Sequence, residues 1–196
     1  TSAVDVITLG ANGANVTYTI SVSNGEATSY AKAAAAAGSQ ASTFTVTVAG
    51  DEARFAGKAV TGIDVLDLTA GTAATLDGSL WTAAKVDLGF DNAGNAITYN
   101  AGAVYEITKD QTTGLALDSK ATNTEQTIKI ISGDDNGTST AVGTVEVNAL
   151  TLDDGNDTRS GTATIEANDS NFTATSMDMG AKMSLVITGD EDVTLG

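Results

Sequence analysis

The sequence predicts an all-β chain, a short-strand β-solenoid or β-sandwich-like set of repeats preceded by a small N-terminal β unit. Three observations carry this. Threonine and valine are abundant, and their branched β-carbons fit a pleated strand better than a helix. Apolar residues alternate with polar ones at a period of two, as in Val16, Tyr18, Ile20 and Val22. Turn residues, mainly Gly, Asn and Asp, recur between short apolar runs along the whole chain.

In the first third, Val4 to Leu9 is a short apolar run followed by the turn signal Gly10-Ala11-Asn12-Gly13. Val16 to Val22 alternates cleanly, and Asn24-Gly25 after it is a strong hairpin dipeptide because both residues tolerate positive φ. Tyr30 to Ala37 is alanine-rich and closed by Gly38, so it has the composition of one or two helical turns. Phe44, Val46 and Val48 alternate again. From Gly62 onward the texture changes to short apolar pairs set between small or acidic turns. Examples are Val65-Leu66 with Leu68, Val86 with Leu88, Val104 with Ile107 and Leu115 with Leu117. Ile128 to Ile131, Val145 with Val147, Leu150 with Leu152, Leu185 with Ile187 and Val193 with Leu195 continue the series. Intervals of this kind suit the coils of a solenoid and also a sandwich of many short strands. The change divides the chain into a compact unit over 1–58 and stacked short strands over 59–196.

Composition removes several function classes. The 196 residues include no Cys, His or Pro, and 25 acidic residues against nine Lys and Arg give a formal net charge of −16. Such a surface repels phosphate backbones and anionic lipid, so nucleic acid is not expected as a partner. No basic segment with an apolar stretch opens the chain and no apolar run is long enough to span a bilayer, so no membrane insertion is expected. Without His or Cys, triad-type nucleophilic catalysis has no base or thiol to use. A carboxylate pair could hydrolyse a glycoside, but such sites stack sugars on aromatics and Trp81 is the single tryptophan. The chain is therefore read as non-enzymatic. Trp81 itself, after Asp77-Gly78, is expected as a core plug beneath a turn, and Met177, Met179 and Met183 as core filler. The N-glycosylation sequons at Asn15, Asn136, Asn156, Asn168 and Asn171 arise readily in a chain so rich in Asn and Thr, and carry no weight.

The informative sites are acidic turns: Asp134-Asp135-Asn136-Gly137, Asp153-Asp154-Gly155-Asn156-Asp157, Asn168-Asp169-Ser170-Asn171 and Asp190-Glu191-Asp192. Calcium takes six to eight oxygens from carboxylates, amide carbonyls and backbone. The predicted metal ligands are Asp153, Asp154, Asn156 and Asp157, with Asp134, Asp135, Asn136, Asp190 and Asp192 as further candidates. The same residues also make turns without metal, by bonding their own backbone.

Two stretches resemble a known family. Gly62-Ile63-Asp64-Val65-Leu66-Asp67-Leu68-Thr69-Ala70, followed by Ala74 to Trp81, resembles a strand unit repeated in surface-layer proteins of Gram-negative bacteria. Lys182 to Leu195, with its Thr188-Gly189-Asp190 turn, looks like another such unit. The resemblance is to the type I-secreted, calcium-dependent surface-layer proteins, although no full Gly-Gly-x-Gly-x-Asp nonapeptide is present. It implies a secreted, non-catalytic structural segment at the cell surface, assembling with copies of itself in a lattice. Calcium would sit at Asp-rich turns, and cell-surface polysaccharide would be reached through other parts of a longer parent chain. Two other readings share the composition: an extender or ligand-binding domain of a large secreted adhesin, and the outer variable domain of a flagellin-like filament protein.

Overall fold

The computed structural model describes residues 7–9, 16–21, 29–32, 44–49, 59–69, 73–120, 124–133, 143–152 and 159–196. Seventeen strands lie within these residues, and no helix does. They are β1 (Ile7–Leu9), β2 (Val16–Ser21), β3 (Ser29–Lys32), β4 (Phe44–Ala49), β5 (Ala59–Thr61) and β6 (Val65–Thr69). Next come β7 (Leu76–Asp77), β8 (Lys85–Gly89), β9 (Ala96–Tyr99), β10 (Ala103–Ile107), β11 (Leu115–Ser119) and β12 (Ile128–Ser132). The last are β13 (Gly143–Leu152), β14 (Gly161–Ala167), β15 (Ser170–Met179), β16 (Met183–Gly189) and β17 (Val193–Leu195).

Paired strands are always two places apart in the chain, never immediate neighbours in sequence. The even-numbered strands form one eight-stranded sheet in the order β16-β14-β12-β10-β8-β6-β4-β2. The odd ones form a six-stranded sheet, β17-β15-β13-β11-β9-β7, and a three-stranded sheet, β1-β3-β5. Every pairing is parallel. Parallel neighbours need a crossover between them, and here the crossover for one sheet is a strand of another. Such alternation is consistent with a β-solenoid-like fold. β4 pairs with β6, so the even sheet runs without a break past residue 58.

The register stacks like side chains into rows. On the even sheet one inward row runs Leu66, Val86, Tyr105, Ile130, Ile165 and Ile187. A second runs Leu68, Leu88, Ile107, Ser132, Ala167 and Gly189. Facing them, the odd sheet stacks Leu76, Ile97 and Leu117, then Val145, Phe172 and Val193. Alternation puts these residues on one face of each strand. From Leu66 through Ile165 the first row is buried, as are Leu76, Ile97, Leu117, Val145 and Phe172. Full burial of one such side chain is worth about 1.5–3 kcal/mol, so the rows are the main source of stability.

β13 and β15 turn a corner together. In β13, Val145 and Val147 are buried, then Leu150 and Leu152, so the inward phase slips by one at Asn148-Ala149. In β15, Phe172 and Ala174 are buried and the two following residues, Thr175 and Ser176, face solvent. The pairing continues in register on both sides, through Val147 with Ala174 and Ala149 with Ser176. Close approach at this corner requires glycine: Gly114 has φ 140° and a β-carbon there would lie 2.7 Å from the Ala149 carbonyl oxygen.

Two local expectations are corrected. The hairpin expected after β2 is not seen in the pairing of the described strands: β2 pairs in parallel with β4, and β3 pairs with β1 and β5, while Asn24-Gly25 itself lies outside the described residues. A period-two pattern sets the face of a strand but not the direction of its partner. The helical segment over Tyr30–Ala37 is overturned at its start, since Tyr30 to Lys32 belong to β3; positions 33–37 lie outside the described residues. Trp81 is the core plug expected of it. It is buried, its backbone N–H donates to the Gly78 carbonyl at 2.9 Å, and its ring fills the space a β-carbon on Gly78 would need. Met183 is buried, and Met177 and Met179 pack against the core. Lys182 to Leu195 forms strand, turn and strand, through β16 and β17.

Candidate functional site

Most of the predicted metal ligands, namely Asp153, Asp154, Asn156, Asp157, Asp134, Asp135 and Asn136, lie outside the described residues. Asp190 and Asp192 are described and exposed, in the turn between β16 and β17. The backbone there is tied to the preceding coil. Glu191 N–H donates to the Ala167 carbonyl at 3.0 Å, and Asp192 N–H donates to Asn171 Oδ1 at 3.0 Å. Asn168 and Asp169 are exposed at the β14–β15 turn, while Ser170 is buried. Among the described residues no three His, Cys, Asp or Glu side chains converge as a metal group.

The register creates a different acidic feature. Asp67, Asp87 and Glu106 lie side by side on the outer face of β6, β8 and β10. Lys85 Nζ pairs with Glu106, and one sheet position further on Lys129 Nζ pairs with Glu166 Oε2 at 2.7 Å. Like charges directly abreast oppose each other, and the lysines offset that diagonally. Asp87 feels the result. Burial pushes its carboxyl above the usual carboxylate range; a hydrogen bond from Thr108 (2.7 Å) opposes this, Asp67 and Glu106 add to it, and Lys85 opposes it. Asp91, in the next turn, behaves oppositely. Its slight burial would raise it, but hydrogen bonds from the Thr112 hydroxyl, from Ala93 N–H (2.8 Å) and from Thr112 N–H (3.1 Å), with Lys109 nearby, hold it below the usual range.

Behind Asp91 two amides are wholly buried. Asn92 N–H donates to Gln111 Oε1 at 3.0 Å, Asn92 Nδ2 to the Asn95 carbonyl at 2.8 Å, and Asn92 Oδ1 accepts from Ala74 N–H at 3.0 Å. Gln111 Nε2 donates to the carbonyls of Phe90 (2.8 Å) and Lys109 (2.9 Å). Its backbone bonds Glu146 and Asn148 in the following coil. These groups staple successive turns from the inside, as buried polar groups must if they are not to cost stability. Outside them lies a depression of about 250 Å³ lined by Asp110, Gln111, Thr112, Glu146, Asn148 and Thr175. Asp110 Oδ1 is already engaged there, accepting from Glu146 N–H at 2.9 Å.

The acidic row and the amide pair were not singled out from the sequence. The signal was present in the spacing: Asp67, Asp87 and Glu106 recur at intervals of twenty and nineteen, the length of one coil in that region. Reading it required the register, which the apolar pairs alone do not fix. No helix among the described residues is long and apolar enough to cross a membrane. No family model, no curated protein and no solved structure matches this chain.

Proposed function

We propose that the chain is a β-solenoid and acts as a non-catalytic structural segment of a secreted, self-assembling bacterial surface-layer protein, stiffened by calcium at its Asp-rich turns. The observation that carries this reading is the unbroken parallel pairing of alternate strands from β2 to β16. A fold of that kind spends its side chains on stacking one coil upon the next and presents an extended, uniform surface. Two of its buried polar side chains, Asn92 and Gln111, are used up in bonds between and within coils. The strong net charge of −16 gives divalent cations a reason to bind wherever several acids meet. The adhesin reading calls for an exposed face with clustered aromatics. Among the residues whose side chains are described, the aromatics Trp81, Phe90, Tyr99, Tyr105 and Phe172 are all buried, which favours assembly over ligand capture.

Thermal melting tests the calcium part of the proposal. Millimolar calcium should raise Tm, chelator should lower it, and sodium at equal ionic strength should do much less; a cation bound only by the folded state at a hundred times its Kd adds about 2.7 kcal/mol. The double substitution Asp153→Ala with Asp157→Ala should remove much of that rise. Equal Tm with calcium and with chelator would overturn the stiffening role. Electron microscopy of the secreted chain tests assembly.

A further inference from the structure

Three acidic side chains of the even sheet stand abreast on successive strands. Asp67 of β6 pairs with Asp87 of β8, and Asp87 pairs with Glu106 of β10. Neighbouring strands lie about 4.8 Å apart, so Asp87 has an acid within reach on either side. All three are half-buried, and water and salt screen such charges poorly. Lys85, on the same strand and face as Asp87, pairs with Glu106. Lys129, on β12, pairs with Glu166. Asp87 is thus faced by Asp67 from β6, by Glu106 from β10, by the hydroxyl of Thr108 just after β10, and by Lys85 from its own strand.

We propose that this row is a proton-binding site, which takes up one proton at mildly acidic pH, holds it on Asp87 between Asp67 and Glu106, and so fastens β8 to its neighbours. Two carboxylates abreast only repel, whereas a carboxyl donates a hydrogen bond to a carboxylate beside it. The Thr108 hydroxyl donates to Asp87 Oδ1 at 2.7 Å, which leaves Oδ2 to carry the proton. That bond survives protonation, because the carbonyl oxygen of a neutral carboxyl still accepts. Burial, with Asp67 and Glu106 adding to it, already holds the Asp87 carboxyl above the usual range, against the pull of Thr108 and Lys85. A group raised in this way binds its proton more tightly in the folded chain than in the unfolded one. Its contribution to stability is full below the ordinary carboxylate value and is lost as pH rises through the raised one. The row therefore makes the middle of the even sheet firmer in mildly acidic surroundings than in neutral ones. Such a site needs neither a lattice nor a metal, and it holds whether or not the chain belongs to a surface layer.

Carbon-13 NMR titration of the aspartate carboxyls in the full chain, with chelator present, tests this alongside urea unfolding from mildly acidic to neutral pH. The Asp87 carboxyl should titrate above the ordinary range, and Asp67→Asn should move its midpoint down. For each pH unit by which that midpoint lies above the ordinary one, the folding equilibrium should shift about tenfold between the acidic and the neutral limit. Asp87→Asn, uncharged and of the same shape, should remove that part of the pH dependence. Asp178→Asn is the control for the general relief of repulsion in a chain of charge −16, since Asp178 is exposed on β15, and it should keep the native slope. An Asp87 carboxyl that titrates at or below the ordinary value overturns the site, and this is read on the native chain whether or not a variant folds. Equal slopes for Asp87→Asn and Asp178→Asn overturn it as well, because acid would then act only through overall charge. An Asp87 midpoint unmoved by Asp67→Asn overturns the row as the unit that holds the proton.

Discussion

Ile165 and Ile187 are the same residue in the same row, one strand apart, and one is completely buried while the other is half exposed. Nothing in the residue or its strand accounts for this. The difference is that β16 lies over Ile165, whereas among the described residues no strand lies over Ile187. In this architecture each coil supplies half the environment of its neighbour, so stability is a property of interfaces between coils more than of the coils themselves.

The largest expected effect sharpens that contrast. Ile165→Ala should cost about 3–4 kcal/mol in urea unfolding, within the range for large-to-small changes in a core. Ile187→Ala, in the monomer, should cost less than about 1 kcal/mol. Equal losses would mean that the end coil is covered in solution.

A polar version of the comparison comes next in size. Gln111→Ala in the middle of the stack strands Asn92 N–H and the carbonyls of Phe90 and Lys109, and should cost about 2–3 kcal/mol. Asn171→Ala near the end removes only the exposed bond to Asp192 N–H and should cost about 0.5 kcal/mol or less. Chemical denaturation of both variants measures the ratio.

Asp87 and Asp91 offer a smaller comparison, opposite in sign. The folded-state pKa of Asp87 is raised, so the folded chain binds its proton more readily than the unfolded chain does. Its contribution is greatest below the ordinary carboxylate value and is lost as pH rises through the raised one. Asp91 is lowered, so its contribution is present above the ordinary value and is lost as pH falls. Replacing Asp87 with Asn should therefore flatten the fall in stability on leaving mildly acidic pH. A melting profile with unchanged slope would contradict the effect of burial on Asp87 and, after it, of the neighbouring Asp67 and Glu106. Smallest of all is Ala93→Gly. Ala93 sits at φ 52° beside Gly94 at 76°, a backbone that alanine adopts at some cost, and glycine there should raise stability by about 0.5–1 kcal/mol.

The sequence was legible where the inward row is large and branched. Val65 to Leu68, Val86 with Leu88, Ile128 to Ile131 and Leu185 with Ile187 announce β6, β8, β12 and β16 directly. It was silent where the row shrinks to alanine. β14 turns Ala163, Ile165 and Ala167 inward and β15 turns in Phe172 and Ala174, so the apolar period is faint although the strands are long. Partner direction was not legible at all in the first third, because alternation such as that of Val16 to Ile20 sets the face of a strand and not the direction of its partner. For the candidate site, the carboxylates were visible as residues, but their grouping depends on register. Asp67 and Glu106 share a row with Asp87 only because whole coils intervene, a separation far beyond any local pattern.

The coils are not of equal length. Leu66 and Val86 are twenty residues apart in sequence and one strand apart in the sheet; Ile130 and Ile165 are thirty-five apart and also adjacent. The ladder tolerates this without losing register, since extra chain between rungs adds only a slowly growing closure entropy, about 0.6 kcal/mol for each doubling. Both of the acid-rich segments at 134–137 and 153–157 fall in that longest interval. Variation in their length is therefore only weakly coupled to the pairing of the flanking strands. Such intervals are ports at which new sequence can be spliced into a finished scaffold, and a tag or epitope inserted between β12 and β13 should leave the melting temperature within a few degrees of the parent.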